Sequence, residues 1–301
     1  MSDLIRVVRA AATNQLARLS PSLYVRLTGQ TGRGSGTETS KDIASYFLAS
    51  LDDYFVQLKI EPANISSFLA GKTLMEYGPG DLPAVAVLMV AMGAEKVYCV
   101  DRFPLVNLSS RNLGVLQKLI DGCEGERLER LLSCLKDKDD LSQGFDARRI
   151  EYLVKPSGMS GLNDVVDLVY SRAVLEHVND LPGTFADMLR AMRVGARSIH
   201  LVDLRSHGLH KTNVLDFLAW SPTLWSLMYS EKGVPNRWRV NEYRRILAEL
   251  KVSANLFEPT AFASPAEIAD IRGNLAPLFR DVSDADLAWL GFWLGFENRS
   301  V

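Results

Sequence analysis

The sequence predicts an α/β protein: a doubly wound, mostly parallel sheet of seven strands with helices on both faces and a helical cap ahead of it. Three observations lead there. Between residues 72 and 204 short apolar runs alternate with stretches of helical period, and that alternation makes parallel strands joined by crossover helices. DVVDLVYS (164–171) is apolar almost throughout, as a strand covered on both faces must be. With 301 residues, 47% of them hydrophobic and 23% charged, the chain has the composition of a globular protein and the length for one large core.

Residues 2–27 carry a helical pattern and run into GQTGRGSGTETS (29–40), a glycine-rich polar loop. That loop follows no strand and lacks a Gly-Lys-Ser/Thr ending, so it reads as a connector or lid and not as a phosphate loop. Helical period resumes over 41–58, where Ile43, Phe47, Leu51 and Phe55 share a face. KTLMEYG (72–78) is the first strand, LPAVAVLMVAMG (82–93) a helix closed by Gly93, and KVYCVD (96–101) the second strand. Residues 106–140 hold two helical stretches; RIEYLV (149–154) is the third strand and 164–171 the fourth. A helix over 181–193 ends at Gly195, before the fifth strand RSIHLVDL (197–204). The rhythm then changes: VLDFLAWSPTLWSLMY (214–229) is aromatic and helical, NEYRRILAEL (241–250) is an amphipathic helix, and strands near 252–258 and 288–296 complete the seven. The expected division is a helical cap or lid over 1–70 and a sheet domain over 71–301, with a helical insertion at about 206–240.

Composition excludes several classes. A net charge of −2 leaves no electrostatic footprint for nucleic acid. The longest apolar run, residues 82–94, falls short of the about 20 residues a membrane span needs. Cys99, Cys123 and Cys134 have no metal-ligand spacing and cannot all pair, which suits a reducing, cytoplasmic compartment. The N-terminus has no long apolar core or cleavage site and reads as an amphipathic helix of the mature protein.

The most informative stretch is EYGPGDLP (76–83), a glycine turn between a strand and a helix, followed some twenty residues later by Asp101, a carboxylate suited to ribose hydroxyls. A dinucleotide fold needs a third glycine where Pro83 stands. It also places a pyrophosphate at the helix N-terminus, where Asp81 would cap the helix and repel it. Acids at Glu76, Asp81 and Asp101 suit a cationic, phosphate-free donor such as S-adenosylmethionine.

On these residues the chain resembles the class I S-adenosylmethionine-dependent methyltransferases, whose fold is a Rossmann-like seven-stranded sheet. GKTLMEYGPGD is similar to their first motif, VYCVD to the ribose-binding acid closing their second strand, DLVYSRAVLEHV (167–178) to their fourth-strand motif, and MRVGARSIHLVDL (192–204) to the turn and strand behind it. The resemblance covers about residues 70–205. It implies that Gly78 and Gly80 lie under the cofactor, that Glu76 holds its amino-acid end and Asp101 its ribose, with Asp81 beside them. Arg102 and Phe103 would flank the adenine, and Ser171 and Arg172 would stand near the methionine moiety. Two departures are visible: Leu82 replaces the third glycine of the first motif, and KPSGMSG (155–161) lacks the adenine-binding acid, a place that Ser157, Gly158 and Met159 would take. S-adenosylhomocysteine would be the product.

Methyl transfer to an alcohol needs the acceptor aligned and its proton removed. His207, close to Asp203 in VDLRSHGLH, and His177 in LEHV are the expected catalytic residues; His200 reads as core packing and His210 as a weaker candidate. Phe217, Trp220, Trp225 and Tyr229 would form an apolar acceptor wall, and Arg237 and Arg239 would hold an anionic group. No ligand spacing demands a metal, although Asp203 with nearby acids admits one. The expected activity is O-methylation of a small molecule, by a monomer or a homodimer. The alternatives are a non-catalytic protein keeping the fold as a binding or scaffolding module, and, disfavoured by Asp81 and Pro83, a nicotinamide oxidoreductase.

Overall fold

The computed structural model describes residues 3–29 and 38–299. The expected connector or lid over 29–40 therefore falls largely outside the described residues, since 30–37 are not among them. In chain order the helices and strands are α1 (Asp3–Leu19), α2 (Pro21–Thr28), α3 (Ser40–Leu58), α4 (Ile65–Leu69), β1 (Thr73–Tyr77), α5 (Ala84–Ala91), β2 (Lys96–Asp101), α6 (Ser110–Asp121), α7 (Gly125–Leu132), β3 (Ile150–Val154) and β4 (Val166–Arg172). They continue with α8 (Leu181–Ala191), β5 (Met192–Asp203), α9 (Pro222–Tyr229), α10 (Val240–Glu249), β6 (Ala254–Phe262), α11 (Pro265–Arg272), α12 (Asp284–Leu287) and β7 (Trp289–Glu297).

The strands form one seven-stranded sheet in the order β3-β2-β1-β4-β5-β7-β6. β1 pairs in parallel with β2 and β4, and β2 with β3, while β6 and β7 are antiparallel. A dinucleotide-binding sheet runs 3-2-1-4-5-6; here an antiparallel strand is inserted before the last position. The strand order reverses between β1 and β4, and it is outside such a switch point that open α/β sheets bind their ligands.

By contacts the chain divides into two compact units. One comprises the described parts of Gly29–Ser171, Asp187–Ile199 and Asn298–Val301. Its α3 starts with a reciprocal capping box between Thr39 and Asp42 and ends at Lys59 in the left-handed region. Every residue of α5 is buried, which explains why its sequence is apolar on all sides and not on one stripe. The other unit comprises the described parts of Met1–Thr28, Arg172–Ala186 and His200–Glu297. There β6 and β7 form a bulged ribbon whose Phe257 and Phe292 rings stack at 5.1 Å, and the Tyr243 ring stands edge-on to Phe292 at 5.0 Å. Of the segment expected as a cap, α1 and α2 belong to this unit and α3 to the other.

Three boundaries differ from expectation, each for a local reason. The first helical block is two helices, because Pro21 lacks the N–H that would continue α1. The 214–229 helix is a short 3-10 turn (Asp216–Ala219) and then α9, restarted by an N-capping Ser221 before Pro222. Gly195, with φ +80°, does not end a helix; it lies inside β5, its N–H donating to the carbonyl of Asn298. The capping box of Ser264 and Glu267 that opens α11 is written in the sequence as S-P-A-E.

Candidate functional site

β1 ends at Tyr77, and the chain turns through Gly78 (φ +66°) and Gly80 (φ +71°), conformations that side chains other than glycine adopt only under strain. The Gly78 N–H donates to the carbonyl of Val100 at 2.8 Å, so the turn is stitched to β2. The tip of β2 places Asp101 against the same turn. Its carboxylate accepts from the Phe103 N–H at 2.9 Å, and burial pushes it up to about 6 against the opposing pull of the Phe103, Arg102 and Gly80 N–H groups. Glu76, only 7% exposed, accepts from the Tyr170 hydroxyl at 3.4 Å and lies 3.9 Å from the Cys99 sulfur. Burial raises its carboxyl to about 8, with the neighbouring charge of Asp101 adding to the shift.

Asp81 does not cap α5, whose N-cap is Pro83 without a side-chain bond. It is buried and accepts from the Asn112 side-chain amide at 3.0 Å, while its carbonyl accepts from the Asn107 N–H at 3.0 Å. Asp81 thus pins the turn to the start of α6.

The other expected cofactor residues in this unit gather at the same strand ends. The Tyr152 hydroxyl donates to the Phe103 carbonyl at 2.8 Å, and the Arg102 guanidinium lies 5.5 Å from the Phe103 ring. The Lys155 N–H donates to the Asp101 carbonyl, which sets the Ser157–Gly158–Met159 loop (Gly158 φ +71°) beside β2. Ser171 pairs in register with Tyr77 across β1 and β4. Arg172 belongs to the other unit, its guanidinium 5.9 Å from the Trp293 ring.

Sequence reasoning missed the supports. The Tyr77 hydroxyl donates to Asp187 at 2.6 Å, and that carboxylate also accepts from the N–H groups of Ser160 and Gly161 at 2.6 and 2.9 Å. One buried aspartate therefore ties β1 to the loop after β3.

The second unit holds the expected acid–base residues, together with one that was not expected. Leu175–His177 is a single 3-10 turn just after β4, and Glu176 within it is 1% exposed. Neither carboxylate oxygen of Glu176 makes a hydrogen bond; the N–H groups of Glu176 and Asp203 face it without reaching bonding geometry. Its Oε1 lies 3.8 Å from His177 Nε2 and 3.9 Å from His207 Nε2, and the two imidazoles stand edge-to-face at 4.8 Å. Burial holds the Glu176 carboxyl well above the usual range and, with His207 alongside, brings His177 down to about 4. His207 adopts φ +50°, in the left-handed region.

Asp203 lies 3.8 Å from His207, beyond hydrogen-bond distance, because both of its oxygens are taken by Arg205 at 2.8 and 2.5 Å. Burial would raise the Asp203 carboxyl, but Arg205 outweighs it and the net shift is downward. His200 is fully buried and lowered to about 3, as a core residue. His210 pairs through Nδ1 with the Ser206 hydroxyl.

Trp225, Tyr229, Arg237 and Arg239 all line a cavity of about 440 Å³, a size within the range of small-molecule pockets. Trp220 is not part of that lining, and Phe217 packs in the core, its ring 6.0 Å from that of Trp225. The two arginines are anchored. Arg237 donates to the carbonyls of Trp220 (2.6 Å) and Phe217, with its guanidinium 4.6 Å from the Trp225 ring. Arg239, 1% exposed, donates to the carbonyls of Leu204 (3.0 Å), Leu287 (2.9 Å) and Trp289. Among the described residues no helix is long and apolar enough to cross a membrane.

No protein-family profile matches the chain, and no curated protein does. Among solved structures it is similar to an S-adenosylmethionine-dependent methyltransferase from Mesorhizobium loti, at 14% identity over 76% of this chain and 92% of that one, TM-score 0.41. It is also similar to phosphoethanolamine N-methyltransferase 2 of Haemonchus contortus in complex with S-adenosyl-L-methionine, at 14% identity over 88% of this chain and 61% of that one, TM-score 0.44. A third is a geranyl diphosphate methyltransferase in complex with GPP and sinefungin, at 15% identity over 80% of this chain and 78% of that one, TM-score 0.41.

Proposed function

We propose that the chain is an S-adenosylmethionine-dependent methyltransferase acting on a small molecule, with oxygen as the methyl acceptor. The acids around the glycine turn carry this reading: Glu76 and Asp101 bring two carboxyls to the switch point of the sheet, Asp101 ionised at neutral pH and Glu76 ready to ionise against a cation. A pyrophosphate would be repelled there, whereas a donor bearing a sulfonium and an ammonium is attracted. The partners of Glu76 are a hydroxyl, a thiol and a backbone N–H, none of them a cation, so an arriving ammonium would be the first positive group to draw this raised carboxyl into its charged form.

In this reading Glu76 takes the donor's amino-acid end, Asp101 its ribose, and the backbone at Gly78 and Gly80 passes close beneath it, with Asp81 fixing the turn. Arg102, Phe103 and the Ser157–Met159 loop flank the adenine; Ser171 and Arg172 serve the methionine side. The bound donor supplies an electrophilic methyl. The chain's own part is to align the acceptor, exclude water and take the acceptor's proton. His207 and His177, with Asp203 and Glu176 around them, are the proton-handling group. Trp225, Tyr229, Arg237 and Arg239 form the acceptor wall, a role supported by their shared cavity. A cytoplasmic location is supported by three free, buried cysteines.

Thermal unfolding with S-adenosylhomocysteine and with NAD(H) separates the readings. A ligand at a hundredfold its Kd stabilises by about 2.7 kcal/mol. Stabilisation by the homocysteine compound alone supports a methyltransferase; stabilisation by neither points to a scaffold, and by NAD(H) alone to an oxidoreductase. Once an acceptor is found, His207→Ala and His177→Ala are expected to lower kcat by about 10²–10⁴-fold between them. Full kcat in both would remove the base and favour acceptors that are already ionised.

A further inference from the structure

The Glu176 side chain is a buried carboxyl whose two oxygens have no hydrogen-bond partner. Leaving such a group unsatisfied is costly, and folded proteins seldom do so without using it. The groups closest to it are two imidazole nitrogens, one from its own turn and one from the loop after β5. The three donor atoms all lie within 4.8 Å of one another.

We propose that Glu176, His177 and His207 bind one divalent transition-metal ion of the Zn²⁺ type. The site rests on the proposed function only in that, where the ion is bound, the metal-bound oxygen's lowered pKa would take over the proton handling assigned above to the two imidazoles. Two imidazoles and one carboxylate are a donor set such ions favour, and three protein ligands leave a position open for a further oxygen. Donors at Zn–N distances of about 2.0–2.1 Å stand about 3.3 Å apart in a tetrahedral site. The 3.8 and 3.9 Å separations from Glu176 therefore need to close by about half an ångström, and the widest separation in the group, up to 4.8 Å, by about one and a half, a movement that falls to His207.

The surroundings divide the work. Glu176 and His177 are held in place: the Asn236 side-chain amide donates to the carbonyls of Leu175 and Val178 at 2.9 Å, and the Asn236 N–H donates to that of Glu176 at 2.6 Å. His207, its side chain 32% exposed and followed by Gly208 at φ +79°, is the ligand that can swing and the side from which an ion enters. Asp203, 3.8 Å from His207 and engaged by Arg205, belongs to the shell around the ion. The sequence hid the site because its ligands are an adjacent pair and a single residue thirty positions on, a spacing that matches no metal motif.

The test uses the full chain, stripped with a chelator and titrated with Co²⁺ in the absence of any methyl donor. The expected result is a visible d–d absorption saturating at one equivalent and bleached by Zn²⁺. Glu176→Gln and His207→Ala should each weaken binding by at least about tenfold with unchanged far-UV circular dichroism, and His210→Ala should leave it intact. His207→Ala, on a half-exposed loop, keeps the test open if Glu176→Gln fails to fold. No stoichiometric absorption, or the same affinity in His207→Ala, would overturn the site. Since donor binding is read separately, a chain that takes Co²⁺ but not S-adenosylhomocysteine would sink the methyltransferase reading and leave the metal site standing.

Discussion

Replacing Glu76 with glutamine tests whether this buried carboxyl is held protonated in the free protein and ionises on binding its ligand. Burial moves the group from 4.5 to about 8. Below pH 4.5 both folded and unfolded chains carry the proton, and the folded state bears no penalty from this group. Between that pH and about 8 the folded chain binds one more proton than the unfolded, so stability falls as pH rises; above about 8 the slope vanishes and the loss is complete. At about 1.4 kcal/mol per pH unit the full loss is at most about 5 kcal/mol. Glu76→Gln keeps the shape and the acceptor oxygen but cannot ionise. It should match the parent near pH 4.5 and exceed it by several kcal/mol above pH 8, read by urea denaturation at half-unit intervals. Asp101, pushed up to about 6, adds its own slope to both proteins, so that only its coupling to Glu76 remains in the difference. A flat difference curve between pH 5 and 8 would refute the reasoning. The same carboxyl, drawn to its charged form by an ammonium, should release a proton when S-adenosylhomocysteine binds at pH 7. Calorimetry in two buffers of different ionisation enthalpy should show that release in the parent and none in Glu76→Gln.

Other perturbations reach different parts of the molecule. Tyr77→Phe deletes the 2.6 Å bond to Asp187 and should cost about 1.5–3 kcal/mol in urea, with faster amide exchange at Gly161 as the loop loosens. Gly80→Ala forces a side chain into φ +71° and should cost more than about 1 kcal/mol while weakening S-adenosylhomocysteine; unchanged affinity would move the cofactor away from this turn. Arg239→Met strips the donors from three buried carbonyls and should cost at least about 3 kcal/mol. An unchanged melt with a raised KM would instead make Arg239 the acceptor's anion partner.

Much of the sheet was legible because its signals are local. β1 to β4 are apolar runs, and the turn at 78–80 needs glycines wherever the chain reverses so sharply. Local signals also misled: Gly195 looks like a helix stop, yet a glycine in the left-handed region serves equally well inside β5. The candidate site was half legible in its geometry. Asp101 and Glu76 announce themselves by their distance from the turn, but nothing in the sequence pairs Tyr77 with Asp187, 110 residues away. Glu176 does not stand out in the sequence beside its neighbour His177, because a glutamate in a polar-looking turn reads as surface until the fold buries it. Arg237 and Arg239 read from sequence as anion ligands, but the backbone carbonyls to which they also donate, from segments up to 50 residues away, could not be foreseen.

The pairing of α1 with α9 bears on how the protein is made. Asn14 of α1 donates to the carbonyls of Ser226 and Leu227 and to the Ser230 hydroxyl, so the first helix finds its partners some two hundred residues downstream. At about 5–20 residues per second a ribosome needs roughly 10–40 s to deliver them. Through that interval α1 has no α9 to rest on, while the unit containing β1 to β3 already has most of its strands in hand. The packing of α1 on α9 is thus among the last contacts the nascent chain can make, long after the strands β1 to β3 have emerged.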